Sequence, residues 1–260
     1  MKQTTYTKLG CTFVMVSLLA GLCQANAADT IYFDSFSGNG LPLNGLPVQV
    51  GGQNWVANAG WLDSGQVSGV AAEGSALLPF DPVVNTSYTL SLDVLNPSGQ
   101  WIGLGFARDF LASPGANNIQ DRFPNEIEGI SWMLLRNSAT VNADVQVFRG
   151  LRTSGQLYSG DPITDFTAWH NLAIVIDTTG DGTSFTAQFF VDNVALLGAP
   201  QLVSIPVADI NFVGLSFDAP NTAPDVTVRF DNFLLTQVPE PASGLLLALG
   251  GLFTAFLRRR

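Results

Sequence analysis

An all-β fold, a β-sandwich, is predicted by three features of this chain. Apolar residues take every other position over short runs, no stretch between the termini shows a long helical apolar face, and turn-forming residues separate the runs at short intervals. Alternation at period two sets one face of a strand on a core and the other in water, and many such strands bury their apolar faces by stacking as two layers.

In chain order the expected strands are Thr30 to Phe33, Tyr88 to Val94, Trp101 to Phe106, Ile130 to Leu135, Val141 to Phe148, Leu172 to Ile176, Phe185 to Val191, Asn211 to Phe217 and Val226 to Leu235. The pattern is clearest in Tyr88-Thr89-Leu90-Ser91-Leu92-Asp93-Val94. From Leu172 to Ile176 both faces are apolar, which predicts a strand near the middle of a sheet. Asn44-Gly45, Pro97-Ser98-Gly99, Gly180-Asp181-Gly182, Asp192-Asn193 and Ala219-Pro220-Asn221 supply the positive or preset φ that turns need. Gly38 to Gly52 and Ala112 to Glu126 lack a pattern and are expected as long surface loops. The body, residues 28–237, is expected to be one domain, because roughly 210 residues bury enough apolar surface to fold without disulfides.

The two ends are of another kind. Lys2 and Lys8 precede an apolar region from Phe13 to Leu22, and Ala25-Asn26-Ala27 has the small-x-small form that signal peptidase cleaves. Residues 1–27 are therefore expected as a signal helix, cut before Ala28. Leu22 stands where a lipoprotein signal centred on Cys23 would need a small residue. Both cysteines, Cys11 and Cys23, fall inside this leader, so the exported chain forms no internal disulfide.

At the other end Val238-Pro239-Glu240-Pro241-Ala242 is followed by a mainly apolar run, Ser243 to Leu257, and by Arg258, Arg259 and Arg260. The prolines fix φ and lack backbone donors, so Val238 to Pro241 is expected to stay extended outside any sheet and open to a protease. About 15 apolar residues rise ~22 Å as a single membrane helix, short of a hydrocarbon core of ~30 Å. The arginines snorkel to the headgroups and hold that end on the cytoplasmic side. Residues 238–260 resemble the PEP-CTERM sorting tail of Gram-negative bacteria. The resemblance implies that an exosortase recognises Pro239, Glu240 and Pro241 ahead of the membrane segment and the basic cluster Arg258 to Arg260. It also implies export through the inner membrane, transient anchoring, and then the cell surface or the medium.

Between Ala28 and Val238 stand 20 acids and six bases (Arg108, Arg122, Arg136, Arg149, Arg152 and Arg229), a net charge of −14 with no lysine. Such a body repels phosphate backbones and anionic lipid, so nucleic acid is excluded as a partner. Neutral polymers and calcium remain compatible with it.

Thr167-Ala168-Trp169-His170-Asn171-Leu172-Ala173-Ile174, followed by Phe189-Phe190-Val191-Asp192-Asn193, resembles a hairpin of concanavalin A-like, laminin-G-like jelly rolls. Phe33-Asp34-Ser35-Phe36 and Phe230-Asp231-Asn232-Phe233 fit the way such domains open and close. Asn193 stands where that family commonly has Gly, and Asn also tolerates the left-handed turn. The resemblance implies a jelly-roll β-sandwich.

Candidate chemistry is sparse. Glycosidases need two carboxylates about 5 to 9 Å apart. The jelly-roll glucanase pattern is met here only by Glu126-Ile127-Glu128, followed by Gly129, Ile130, Ser131 and Trp132, without the second acid. His170 is the single histidine, and no Gly-x-Ser-x-Gly elbow accompanies it, so it is expected to pack and hydrogen-bond rather than to act as a base. Among five tryptophans, Trp101, Trp132 and Trp169 lie in or beside strands and are expected in the core. Trp55 and Trp61 lie in polar, Gly-rich sequence and are expected as exposed platforms for sugar rings. Asp177 to Gly182 reads as a plain hairpin turn, since it lacks the bidentate Glu of a calcium loop. Asp34 and Asp231 are expected on the paired first and last strands, where with backbone carbonyls they can hold a structural Ca²⁺. The expected function is a non-catalytic surface or matrix protein contacting the cell's own exopolysaccharide, against two rivals: a glycan-active hydrolase with an unrecognised site, and a purely structural matrix protein.

Overall fold

The structure is a computed structural model that describes residues 27–58, 60–67, 73–97, 100–108, 129–136, 145–150, 155–218 and 228–239. The expected signal helix, membrane helix and Arg258 to Arg260 lie outside the described residues, as does the loop Ala112 to Glu126. The strands are β1 Asp29–Asp34, β2 Val56–Ala57, β3 Trp61–Leu62, β4 Gln66–Val67, β5 Glu73–Pro79, β6 Thr86–Leu95, β7 Trp101–Ala107 and β8 Gly129–Arg136. They continue as β9 Val145–Arg149, β10 Gln156–Gly160, β11 His170–Asp177, β12 Phe185–Val191, β13 Val194–Ala195, β14 Gln201–Val203, β15 Phe212–Asp218 and β16 Arg229–Pro239. Among the described residues a single 3-10 turn occupies Val207–Asp209. One compact unit covers Asp29–Val238.

Among the described residues the fold is all-β, two sheets of nine and seven strands. The first runs β13-β12-β11-β6-β16-β4-β3, with β1 paired to β16 and β14 to β12; the second runs β10-β9-β8-β7-β15-β5-β2. As the doubly apolar run predicts, β11 is interior, antiparallel to β12 on one side and β6 on the other. Alternation sets the core directly. Thr86, Tyr88, Leu90, Leu92 and Val94 point inward on β6, and Phe185, Ala187, Phe189 and Val191 on β12. They meet Ile102, Leu104 and Phe106 of β7 and Val213, Leu215 and Phe217 of β15 in one cluster. Each fully buried Val, Leu, Ile or Phe side chain contributes about 1.5–3 kcal/mol relative to exposure.

Three departures from expectation have local causes. Gly38 to Gly52 is not only a surface loop: bridges Phe33↔Val50, Pro42↔Leu62 and Pro47↔Asn54 fold it back, and Leu43 and Val48 enter the core. β5 has no alternation because both its faces are buried, from Gly74 through Leu78. β16 does not stop short of the prolines but runs through Val238 to Pro239. Its last register pair with β1 is Asp29↔Gln237, so Pro239 lies beyond the ladder and its missing N–H costs no pairing. The chain thus enters and leaves the sandwich at one register position.

Candidate functional site

Asp34 is buried because it sits between Tyr32 and Phe36 on the inward side of the first strand. The carboxylate is satisfied inside the protein: Phe36 N–H donates to Oδ1 at 2.9 Å, and Trp55 Nε1–H to Oδ2 at 2.8 Å. Desolvation raises its pKa, the two hydrogen bonds work against that shift, and the charges of Asp63 and Asp231 add to it. The expected pairing of first and last strands is present, but Asp34 is committed to two protein donors rather than held open for a cation. Asp231 is only partly buried, and its Oδ1 accepts from Asn232 N–H at 2.7 Å. Among the described residues no three His, Cys, Asp or Glu side chains are grouped to hold a metal ion.

Trp55 and Trp61 are not exposed platforms; they are 1% and 0% exposed. φ is left-handed at Phe36 (44°) and Asn232 (51°), and Phe36, Phe230 and Phe233 of the two Phe-Asp-x-Phe segments pack in this cluster. Phe230 meets Phe36 edge-on at 4.6 Å and Trp61 at 5.3 Å, while Trp55 packs at 5.1 Å on Phe233 and 5.6 Å from Phe36. The two tryptophans expected to meet ligand therefore close the core between β1 and β16. Conversely Trp169, expected inside, is 48% exposed, because β11 begins one residue later.

His170 ties the turns at one end of β11. Its Nδ1 lies 2.8 Å from Asp192 Oδ2 and its Nε2 2.7 Å from the Asp165 carbonyl. Asp192 Oδ1 also accepts from Asn171 N–H at 2.9 Å. Asp93 bridges the neighbouring strands, accepting from Asn171 Nδ2 and Asn232 Nδ2 at 2.8 Å each. Burial works to lower the His170 pKa, but the Asp165 carbonyl, the Asp192 hydrogen bond and the charges of both aspartates outweigh it and leave it raised. Both ring nitrogens are occupied, which suits the packing and hydrogen-bonding role the sequence predicts. In the turn from Asp177 to Gly182, Asp177 and Asp181 accept from Thr179 and Thr183 N–H at 2.9 Å, as Asx turns. The Thr183 hydroxyl and N–H hold Asp181 below the ordinary carboxylate value.

Sequence reasoning missed one arrangement that leaves buried polar groups unpaired. On the face of the seven-stranded sheet turned away from the main core, register places Leu77, Gly214, Gly105, Trp132 and Phe148 side by side across five strands. The next row is Ser75, Ser216, Gly103, Leu134 and Gln146. Trp132 and Phe148 stack at 4.1 Å with 14° between their planes, and Trp132 Nε1–H donates to the Gly150 carbonyl at 3.0 Å. A Cβ on Gly105 would come within 2.5 Å of Trp132 Cβ, and one on Gly214 within 2.2 Å of the Ala76 carbonyl oxygen. The result is a floor of small residues beside an aromatic wall, buried in the folded protein. The hydroxyls of Ser75 and Ser216, paired across β5 and β15, are buried and have no hydrogen-bond partner. At one end the Arg136 guanidinium carbon lies 5.7 Å from the Trp101 ring. The signal in the sequence was small residues at alternate positions: Gly103 and Gly105 in one strand, Gly214 and Ser216 in another. Glu126 and Glu128 lie outside the described residues.

Of the sorting residues, Pro239 is described, as the last residue of β16; Glu240 and Pro241 are not. Residues 237–260 match the PEP-CTERM protein-sorting motif. That motif implies an exosortase partner, export, and sorting to the cell surface in Gram-negative bacteria. No curated protein matches the chain significantly. Among solved structures, the chain is similar to the carbohydrate recognition domain of Emp47p, at 16% identity and TM-score 0.46, over 82% of this chain and 97% of that one. It is similar also to an endo-1,3-beta-glucanase from Streptomyces sioyaensis, at 14% identity and TM-score 0.49, over 81% and 96%. A third is domain 4 of AbnA, a GH43 extracellular arabinanase from Geobacillus stearothermophilus, at 14% identity and TM-score 0.43, over 83% and 96%. The likeness is one of outline only, and no residue role passes from these proteins to this chain.

Proposed function

We propose that this chain is a non-catalytic surface protein, delivered by its sorting tail, that contacts a neutral glycan of the extracellular matrix along the glycine–serine floor of the seven-stranded sheet. The observation that carries the reading is the pair of unpartnered hydroxyls, Ser75 and Ser216, on a floor walled by the stacked Trp132 and Phe148. A buried hydroxyl left unpaired costs about 1–3 kcal/mol, and a hydroxyl-rich ligand on that face would offset the cost. An aromatic face suits the apolar face of a pyranose. The net charge of −14 on the body disfavours acidic polymers.

A second reading, a purely structural matrix protein, is favoured by burial: Ser75 and Ser216 are 0% and 1% exposed, so the floor is closed in the protein alone. Glycan-array binding by recombinant residues 28–237 separates the two. Binding to neutral polysaccharide that is lost in Ser75→Ala/Ser216→Ala, at an unchanged melting temperature, supports the glycan reading. Absence of binding to every glycan leaves the structural one.

A further inference from the structure

We propose that folding of the body restrains its own processing, because the sorting motif begins inside the last strand and its Pro-Glu-Pro gains free chain only when the end of β16 frays from β1. The inference rests on the sorting reading of the tail and adds a regulation to it.

The motif match starts at residue 237, whereas β16 extends to Pro239. Three residues therefore belong to both. Gln237 is paired with Asp29 and Thr236 with Thr30, at the first residues of β1. A linker of polar, flexible sequence, the usual separation between a folded domain and a processing signal, does not occur between Leu235 and Pro239.

Chain length makes the restraint quantitative. From Gln237 to Pro241 the fully extended chain reaches at most about 14 Å. A folded body of roughly 210 residues has a radius of gyration of about 17 Å. A protease that binds Pro-Glu-Pro in an extended form must then work within one body radius of the sandwich, unless the strand end lets go.

Burial decides how far it can let go. Phe230, Phe233 and Leu235 are 2%, 0% and 0% exposed, so β16 is fastened to the core through Leu235. Thr236, Gln237 and Val238 are only partly buried, and Pro239 is exposed. The strand can open from its end as far as Thr236 without uncovering core, a local unfolding of low cost. That opening gains about 7 Å of free chain. Its population sets the processing rate, so cleavage is slower than for the same motif on a free tail. A chain whose sheet has not closed is processed faster than a folded one.

The test uses the full chain in a host that possesses the exosortase, followed by pulse-chase and intact mass. A six-residue Gly-Ser insertion between Gln237 and Val238 keeps the Asp29↔Gln237 pair and frees Val238 to Arg260 with Pro-Glu-Pro unbroken. We expect the insertion variant to be processed about tenfold faster than the unaltered chain, the factor set by one to two strand-end hydrogen bonds. The melting temperature of the body should be unchanged. Equal rates in the two chains would overturn the restraint and leave the sorting reading intact. If neither chain loses Arg258 to Arg260 in that host, the sorting reading fails and the restraint fails with it.

Discussion

Trp55 donates its indole N–H to Asp34 Oδ2 at 2.8 Å within the core, and this bond gives both residues a structural role. The bond joins the first strand to a segment 21 residues further along the chain. It also supplies one of the two donors that make a buried carboxylate tolerable at that position.

Removing the acceptor strands two donors. Asp34→Ala leaves Trp55 Nε1–H and Phe36 N–H without their partner, and hydrogen bonds to charged groups are worth about 1.5–3 kcal/mol each. We expect the body to lose about 2–4 kcal/mol of stability in urea denaturation, within the range for a broken buried network. Asp34→Asn, which keeps one acceptor oxygen, should lose less.

Calcium follows from the same geometry. With both oxygens of Asp34 accepting from protein donors, the melting curve of residues 28–237 is expected to be the same in millimolar calcium and in chelator. A rise of several degrees in calcium that disappears in Asp231→Ala would restore a cation between the end strands.

The tryptophans separate by burial. Trp61→Ala removes a ring packed on Phe230 and should cost about 3–5 kcal/mol, the range for a large aromatic deleted from a core. Trp169→Ala, at a half-exposed ring, should stay within about 0.5 kcal/mol. Equilibrium denaturation of the two variants side by side checks the assignment, and equal losses would contradict it.

His170 makes stability depend on pH. Its folded pKa is raised above the ordinary 6.5, so the native state holds the proton more tightly than the unfolded chain. The contribution is fully present below 6.5 and is lost as pH rises through the folded value. The urea midpoint should therefore fall over that window, and His170→Gln should remove the step. A midpoint that rises with pH there, in a manner abolished by the same substitution, would reverse the sign.

The local code was legible where a residue's environment depends on its neighbours in the chain. Alternation along Tyr88 to Val94 and Phe185 to Val191 marks strand and inward face together, because successive side chains of a strand must point to opposite sides. The Pro-Glu-Pro, apolar run and arginines of the tail are likewise read as a linear signal, which is why the sequence alone locates the sorting motif. What the sequence by itself did not determine is which residues share a face across strands. Trp55 and Trp61 lie among glycines and polar residues, and they become core only because the bridges from Pro42 and Pro47 fold that stretch over Phe230 and Phe233. Gly103, Gly105, Gly214, Ser75 and Ser216 come from three separate strands, and only the registers of β5, β15 and β7 set them side by side as a floor. The end of β16 was decided in the same way. Two prolines argue locally against a strand, but the partner strand stops at Asp29, so no donor is demanded of Pro239 and the ladder runs to the edge of the motif.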